Sequence, residues 1–193
     1  MNAVGIFGGT FDPIHIGHLI TAQAVRELRS LEKIIFIPAF ISPHKTDVTV
    51  LAPEHRLNMI RLSLEDKNYF DYSDIELTNK NVSYSIDTIK ALKKKYTELE
   101  LIIGYDNIFD FKTWKDPDEI LEMVKLIVLK RKSNIDPDYK DKYYKSAIFV
   151  ETPTIEISSS EIRRRVSSGL PINYLVTEKV NEYICANNLY KEK

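Results

Sequence analysis

Residues 4–18, VGIFGGTFDPIHIGH, constrain the fold of this chain more than any other stretch. A short run of β-formers and small residues leads into a Gly-Gly pair, then an Asp-Pro corner, then a helix start bearing His15 and His18. Strand, glycine turn and helix in that order open a β-α-β unit, and the helix N-terminus presents backbone N–H groups to an anion. Histidines at i and i+3 lie on the same helix face, so both rings are expected beside those groups. A polyphosphate suits such a place. Gly8 and Gly9 let backbone N–H groups approach a phosphate without Cβ interference. A bare Gly-Gly pair is most often an ordinary turn, but this one ends a strand and precedes the two histidines. A histidine pair is also commonly incidental or a metal site; metal binding needs a third ligand, and no obvious one stands nearby. Gly17 is expected to leave room between the rings for a flat base or a phosphate.

The rest of the chain repeats the β-α rhythm. Val4–Phe7, Lys33–Pro38, Glu100–Gly104 and Leu126–Leu129 are short apolar runs of the kind that form buried parallel strands, with a further one near Ile148–Val150. Helices are expected at Ile16–Leu28, Pro53–Leu64, Ser85–Tyr96 and Pro117–Met123. Leu57, Ile60, Leu62 and Leu64 give the second only a fair 3.6 period, while Ile86, Ile89, Ala91 and Leu92 serve the third better. Residues 132–146, polar and carrying Pro137, predict a surface loop with room for a short helix. A last helix is expected at Thr177–Asn187. This alternation predicts an α/β fold, a Rossmann-like doubly wound parallel sheet with helices on both faces, and ligands beyond the carboxyl ends of the strands.

At 193 residues, with no internal repeat and no long linker, the chain is expected to form a single domain whose helical C-terminal part spans about 155–193. The net charge of −1 supplies no global field toward nucleic acid or an anionic membrane, so any anion site must be local. No apolar run approaches the roughly eighteen residues of a membrane span, and the first residues lack the basic and apolar regions of a signal peptide. Cys185 is the only cysteine, which removes internal disulfides and Cys-based metal cages. These features predict a soluble protein of a reducing cytoplasm. A homodimer is compatible with them.

GGTFDPIHIGH resembles the signature of the HxGH nucleotidyltransferase superfamily. The fuller likeness is to bacterial nicotinate-nucleotide adenylyltransferases. Phe40–Lys45, FISPHK, resembles that family's loop ending in PHK; Gly104–Trp114, GYDNIFDFKTW, its GxD…W segment; and Ile157–Arg163, ISSSEIR, its ISSSxIR. The four motifs span nearly the whole chain in the family's order. The resemblance implies adenylyl transfer from ATP to nicotinate mononucleotide, giving deamido-NAD and pyrophosphate, with His15 and His18 catalytic.

It further implies that ATP is held by Gly8, Gly9, Thr10, Phe11, Gly17, Gly104, Asp106, Ile157, Ser158, Ser159 and Arg163. The mononucleotide falls to Lys45, Tyr84, Ser85 and Trp114, with Trp114 against the pyridine ring, where stacking on indole is sound. On local grounds Lys45 is a loop lysine just beyond a strand. Asp106 could equally cap a helix, and Ser83 or Ser85 could cap the helix that follows them. Ser158–Ser160 ahead of Glu161 make a good helix start, with Arg163 one turn in and able to grip phosphates. Arg164 and Arg165 read as a solvated face.

Mg2+ is expected to come with ATP, and no protein metal ligands are assigned. Lys115 stands where the family has tyrosine or histidine, Tyr105 where it has a small residue, and Ser85 where threonine is common. All three are expected around the pyridine pocket. Pantetheine-phosphate adenylyltransferases share the first motif but are usually shorter and lack the PHK and ISSSxIR pair, and cytidylyltransferases of the superfamily are shorter still with a different C-terminal signature. Class I aminoacyl-tRNA synthetases share HIGH, but there is no KMSKS-like loop here. The remaining alternatives are an adenylyltransferase of the same superfamily acting on nicotinamide mononucleotide or phosphopantetheine, and a non-catalytic nucleotide-binding protein.

Overall fold

A computed structural model describes residues 2–41, 50–79, 81–130 and 139–191. Its centre is a six-stranded sheet of β1 (Val4–Gly9), β2 (Lys33–Pro38), β3 (Phe70–Tyr72), β4 (Leu99–Gly104), β5 (Lys125–Lys130) and β6 (Ile148–Glu151). The spatial order is β3-β2-β1-β4-β5-β6, and every pairing is parallel. Alternate residues of the same strands feed two cores. Phe7, Ile34, Phe36, Ile102, Ile127 and Leu129 face one side. Ile6, Ile35, Ile37, Leu101, Ile103 and Val128 face the other. Strands buried on both faces need no polar alternation, which is why they read as continuous apolar runs.

The first core is covered by α1 (Ile16–Leu28), α2 (Pro53–Leu64), α8 (Ser159–Ser167) and α9 (Glu178–Ala186). The second lies under α3 (Ile75–Asn79), α4 (Ser85–Lys93), α5 (Tyr105–Asp110), α6 (Pro117–Met123) and α7 (Lys142–Ser146). The doubly wound parallel sheet expected from the sequence is the fold observed. Strand order reverses between β1 and β4, and an α/β sheet of this order opens its ligand crevice there, beyond the carboxyl ends. Among the described residues no helix is long and apolar enough to cross a membrane.

Several local expectations change. The Gly-Gly pair is not a turn: β1 runs through it, with Gly8 registered on Ile37 and Gly9 on Pro38. The chain turns later, where Phe11 takes φ 49° and Asp12–Pro13 is cis. Helix α4 stops at Lys93, short of Tyr96, and the N–H groups of Lys95 and Tyr96 both close onto the Leu92 carbonyl. The buried face of α2 is Arg56, Met59, Ile60, Ser63 and Leu64, a full helical stripe hidden in the sequence by its two polar members. Strand β3 and helices α3 and α5 are too short to register as periodic patterns. Lys45 and residues 132–138 lie outside the described residues.

Candidate active site

His15 is the residue before the first turn of α1, extended at φ −143° and ψ 169°. Its backbone N–H donates to Nδ1 of His18 at 3.2 Å, which leaves the ring proton of His18 on Nε2. The two imidazoles stack with centroids 3.6 Å apart and planes at 22°. The expected pairing is therefore present, but the expected gap is not. A Cβ at Gly17 would stand 3.1 Å from Nδ1 of His15 and 3.3 Å from Cγ2 of Ile155. Gly17 makes room for the His15 ring, not for a base or phosphate between the rings. His15 is buried and His18 half-buried, with Phe11 edge-on to His18 at 5.0 Å.

The two glycines differ in purpose. A Cβ on Gly9 would meet the Phe11 ring at 2.9 Å, whereas one on Gly8 would meet nothing within 4 Å. Gly9 is needed by the protein's own packing, and Gly8 is open to the cleft.

Around the turn, side chains grip main-chain carbonyls. Arg56, buried in α2, donates from Nη1 to Thr10 O at 2.8 Å and Ala39 O at 2.7 Å, and from Nε to Leu51 O at 3.0 Å. It joins the ends of β1 and β2 to the approach to α2. Burial pulls its pKa down, and the nearby Asp12 charge opposes that. Ser158 caps α8 by accepting from the Glu161 N–H at 3.1 Å. Ser159 donates to Pro13 O at 2.9 Å, and Arg163 donates to Asp12 O at 2.7 Å. The ISSSEIR segment thus closes directly onto the GTFDP segment, while Ile157 packs half-buried on the core. Arg164 turns to Glu161 and Arg165 to Pro171 O, away from this turn. Tyr190, near the end of the chain, donates to Asp12 Oδ1 at 2.7 Å, and its burial raises the phenol pKa well above its ordinary value. Neither Arg56 nor Tyr190 carries a motif, and no pattern in the sequence marked either.

Beside this turn, a cavity of about 260 Å³ opens between the carboxyl ends of β1 and β4. Gly8, Gly9, Thr10, Tyr84, Ser85, Gly104 and Trp114, all expected site residues, line it. The histidines do not; Phe7 bridges, lining the cavity while its ring lies 6.2 Å from that of His18. Trp114 packs against Phe111 with centroids 5.0 Å apart.

Asp106 is exposed in the first turn of α5 and does not line the cavity; Gly104 is the residue at the cap, and Asn107 faces the space instead. Neither serine caps α4, whose cap position is Tyr84. Ser83 accepts the Phe40 N–H at 2.9 Å. Tyr105 is not at the pocket either: it is buried in the second core against Phe109 and Phe149. Glu76, which no motif marked, lines the cavity and accepts from the Thr88 hydroxyl at 2.6 Å. Burial pushes its carboxyl above the ordinary range, against hydrogen bonds from Thr88 and Ser83 that pull it back.

The cytidylyltransferase-like family model matches residues 6–165, from β1 through α8. A probable nicotinate-nucleotide adenylyltransferase of Caldicellulosiruptor saccharolyticus is 40% identical over 98% of this chain and 99% of its own length. One from Thermoanaerobacter sp. is 42% identical over 98% and 94%. The chain belongs to the nicotinate-nucleotide adenylyltransferase family. Solved structures share the fold. The Plasmodium falciparum nicotinic acid mononucleotide adenylyltransferase complexed with NaAD superposes with a TM-score of 0.80 at 21% identity, covering 98% of both chains. The family match ends at Arg165, so the Tyr190 contact to Asp12 lies beyond it.

Proposed function

We propose that this adenylyltransferase joins ATP to nicotinate mononucleotide, forming nicotinate adenine dinucleotide and pyrophosphate in NAD biosynthesis. One observation supports this reading above the others. A stacked histidine pair at a helix N-terminus stands next to an aromatic-lined cavity at the switch point of the sheet. ATP lies along Gly8–Phe11, with Gly17, Gly104 and Asp106 nearby, and reaches Ile157, Ser158, Ser159 and Arg163 with its phosphates. The mononucleotide takes the cavity, its pyridine against Trp114 and its remainder near Tyr84 and Ser85, and the PHK resemblance adds Lys45 as a contact.

The mononucleotide phosphate is ionised at neutral pH, so no base is needed to activate it. One of its oxygens attacks the α-phosphorus of ATP in line. The bond to the bridging oxygen breaks, and pyrophosphate leaves with the electron pair. Catalysis reduces to alignment and to donors that follow charge as it develops. Nε2–H of His18 and the His15 ring are those donors. Mg2+ would arrive on ATP's own oxygens and would neutralise phosphate charge there. The reaction belongs in the cytoplasm, where the exposed Cys185 thiol stays reduced.

The test is a substrate panel with Mg-ATP and, in turn, nicotinate mononucleotide, its amide analogue and phosphopantetheine. Dinucleotide and equal pyrophosphate from the nicotinate substrate are expected. Turnover of phosphopantetheine alone would replace the reading, and ATP binding without pyrophosphate release from any acceptor would end it. The Trp114 and Tyr84 walls favour a flat ring over a pantetheine arm.

A further inference from the structure

We propose that Lys115 selects the acid form of the mononucleotide, its ammonium pairing with the carboxylate on the pyridine ring and repelling the amide analogue. This rests on the adenylyl-transfer reading of the same cleft. Lys115 follows Trp114 directly and lines the cavity with it. Among the described lining residues it is the one cation, and Glu76 the one carboxylate. Glu76 is already engaged by the Thr88 hydroxyl. The Lys115 ammonium sits 4.8 Å over the Tyr84 ring and 3.0 and 3.2 Å from the two carboxylate oxygens of Asp87. It is therefore held at the rim of the space that receives the ring.

The chemistry of the two substrates makes that position discriminating. Both mononucleotides carry a fixed positive charge on the pyridinium nitrogen. In the acid form the ring carboxylate compensates it; in the amide nothing does. An ammonium beside the ring substituent attracts the first through a charge-assisted hydrogen bond and repels the uncompensated charge of the second. Discrimination thus arises from attraction and repulsion at once. The tether to Asp87 does not prevent this. The two side chains are 43% and 53% exposed, and pairs so exposed hold weakly. Lys115 can leave Asp87 for an incoming carboxylate without leaving an ion buried and unpaired.

Lys115→Met, Lys115→Arg and Asp87→Asn variants of the full chain test this, with kcat/KM measured for both mononucleotides at saturating Mg-ATP. Lys115→Met should lower kcat/KM for the acid by about tenfold to a hundredfold, the scale of one hydrogen bond to a charged group. The same variant should raise use of the amide a few-fold. Lys115→Arg should keep the acid preference. Asp87→Asn should lower KM for the acid a few-fold by releasing the ammonium, and the wild-type acid-to-amide ratio should shrink as salt is added. An unchanged ratio in Lys115→Met, or an equal loss for both substrates, overturns the proposal. A wild-type protein that converts neither mononucleotide is a separate result, and overturns the reading beneath it.

Discussion

The histidine side of the cleft and the ring side meet at the strand end Gly8–Thr10, yet they are built by opposite means. The histidine side comes from one continuous stretch and is wired to the main chain. His18 is fixed by a backbone N–H, and Thr10, Asp12 and Pro13 each give their carbonyl to Arg56, Arg163 or Ser159. The ring side is assembled from α3, α4, the start of α5 and the 113–115 segment, and its contacts are mostly between side chains. An in-line displacement fails when atoms shift by an ångström, so the phosphate side calls for main-chain anchoring. The choice of acceptor is a matter of a few charges and one ring face, which side chains can set singly.

Removing the main-chain anchor should have the largest effect. Arg56→Leu leaves the Thr10, Ala39 and Leu51 carbonyls without their buried donor. We expect a loss of roughly 3–5 kcal/mol of folding stability, read as a shift in the denaturation midpoint, with turnover falling in the fraction that stays folded. Near-native stability would mean that those carbonyls find other partners, and the contrast between the two sides would weaken. Next in size is His18→Ala. With ATP binding and folding kept, kcat should drop by roughly two to three orders of magnitude, the scale for losing a transition-state donor. Full turnover would remove His18 from the chemistry.

How much of this could be read from the sequence follows the same division. The 4–18 stretch declared its strand, helix and histidines because each lies within a few residues of its partners. ISSSEIR declared a capped helix for the same reason. The parallel sheet was legible because strands buried on both faces are apolar throughout. Arg56 was hidden, since a cation on the inner stripe of α2 breaks the apolar period that marks such a stripe. Glu76 and Asn107 lie on helices of five and six residues, too short to show a face. The Gly-Gly pair misled: extended glycines and turn glycines are written alike, and only the pairing with Ile37 and Pro38 separates them. Gly17 misled because the direction in which the His15 ring folds back over it is not written in the sequence, and Tyr105 because part of its packing comes from Phe149, far away in the chain.

On the ring side, Trp114→Ala should raise KM for the mononucleotide about tenfold or somewhat more, the scale of one lost ring stack, and leave KM for ATP near its wild-type value. Trp114→Phe should recover most of the loss. If both KM values rose together, the ring side would be a structural support of the phosphate side, and the division drawn here would fail.

The smallest effect concerns the carboxylate that the ring side keeps half-hidden. Burial raises the Glu76 pKa above 4.5 in the folded protein. A group whose folded pKa is raised binds its proton more tightly when folded. It therefore adds stability below its unfolded pKa, and that contribution is lost as pH rises through the folded value. Glu76→Gln keeps an acceptor for Thr88 and cannot titrate. The stability of wild type relative to Glu76→Gln should therefore decline as pH rises from the ordinary carboxylate range through the raised folded value, measured as paired denaturation midpoints. A difference that stays flat would show the carboxylate to be as well solvated as a surface one. A decline would mean that the ring side carries a carboxylate whose ionisation burial opposes and which only side-chain hydroxyls hold, whereas the buried cation of the histidine side, Arg56, is held by main-chain carbonyls, the asymmetry expected where one half of a cleft is fixed for chemistry and the other is tuned for choice.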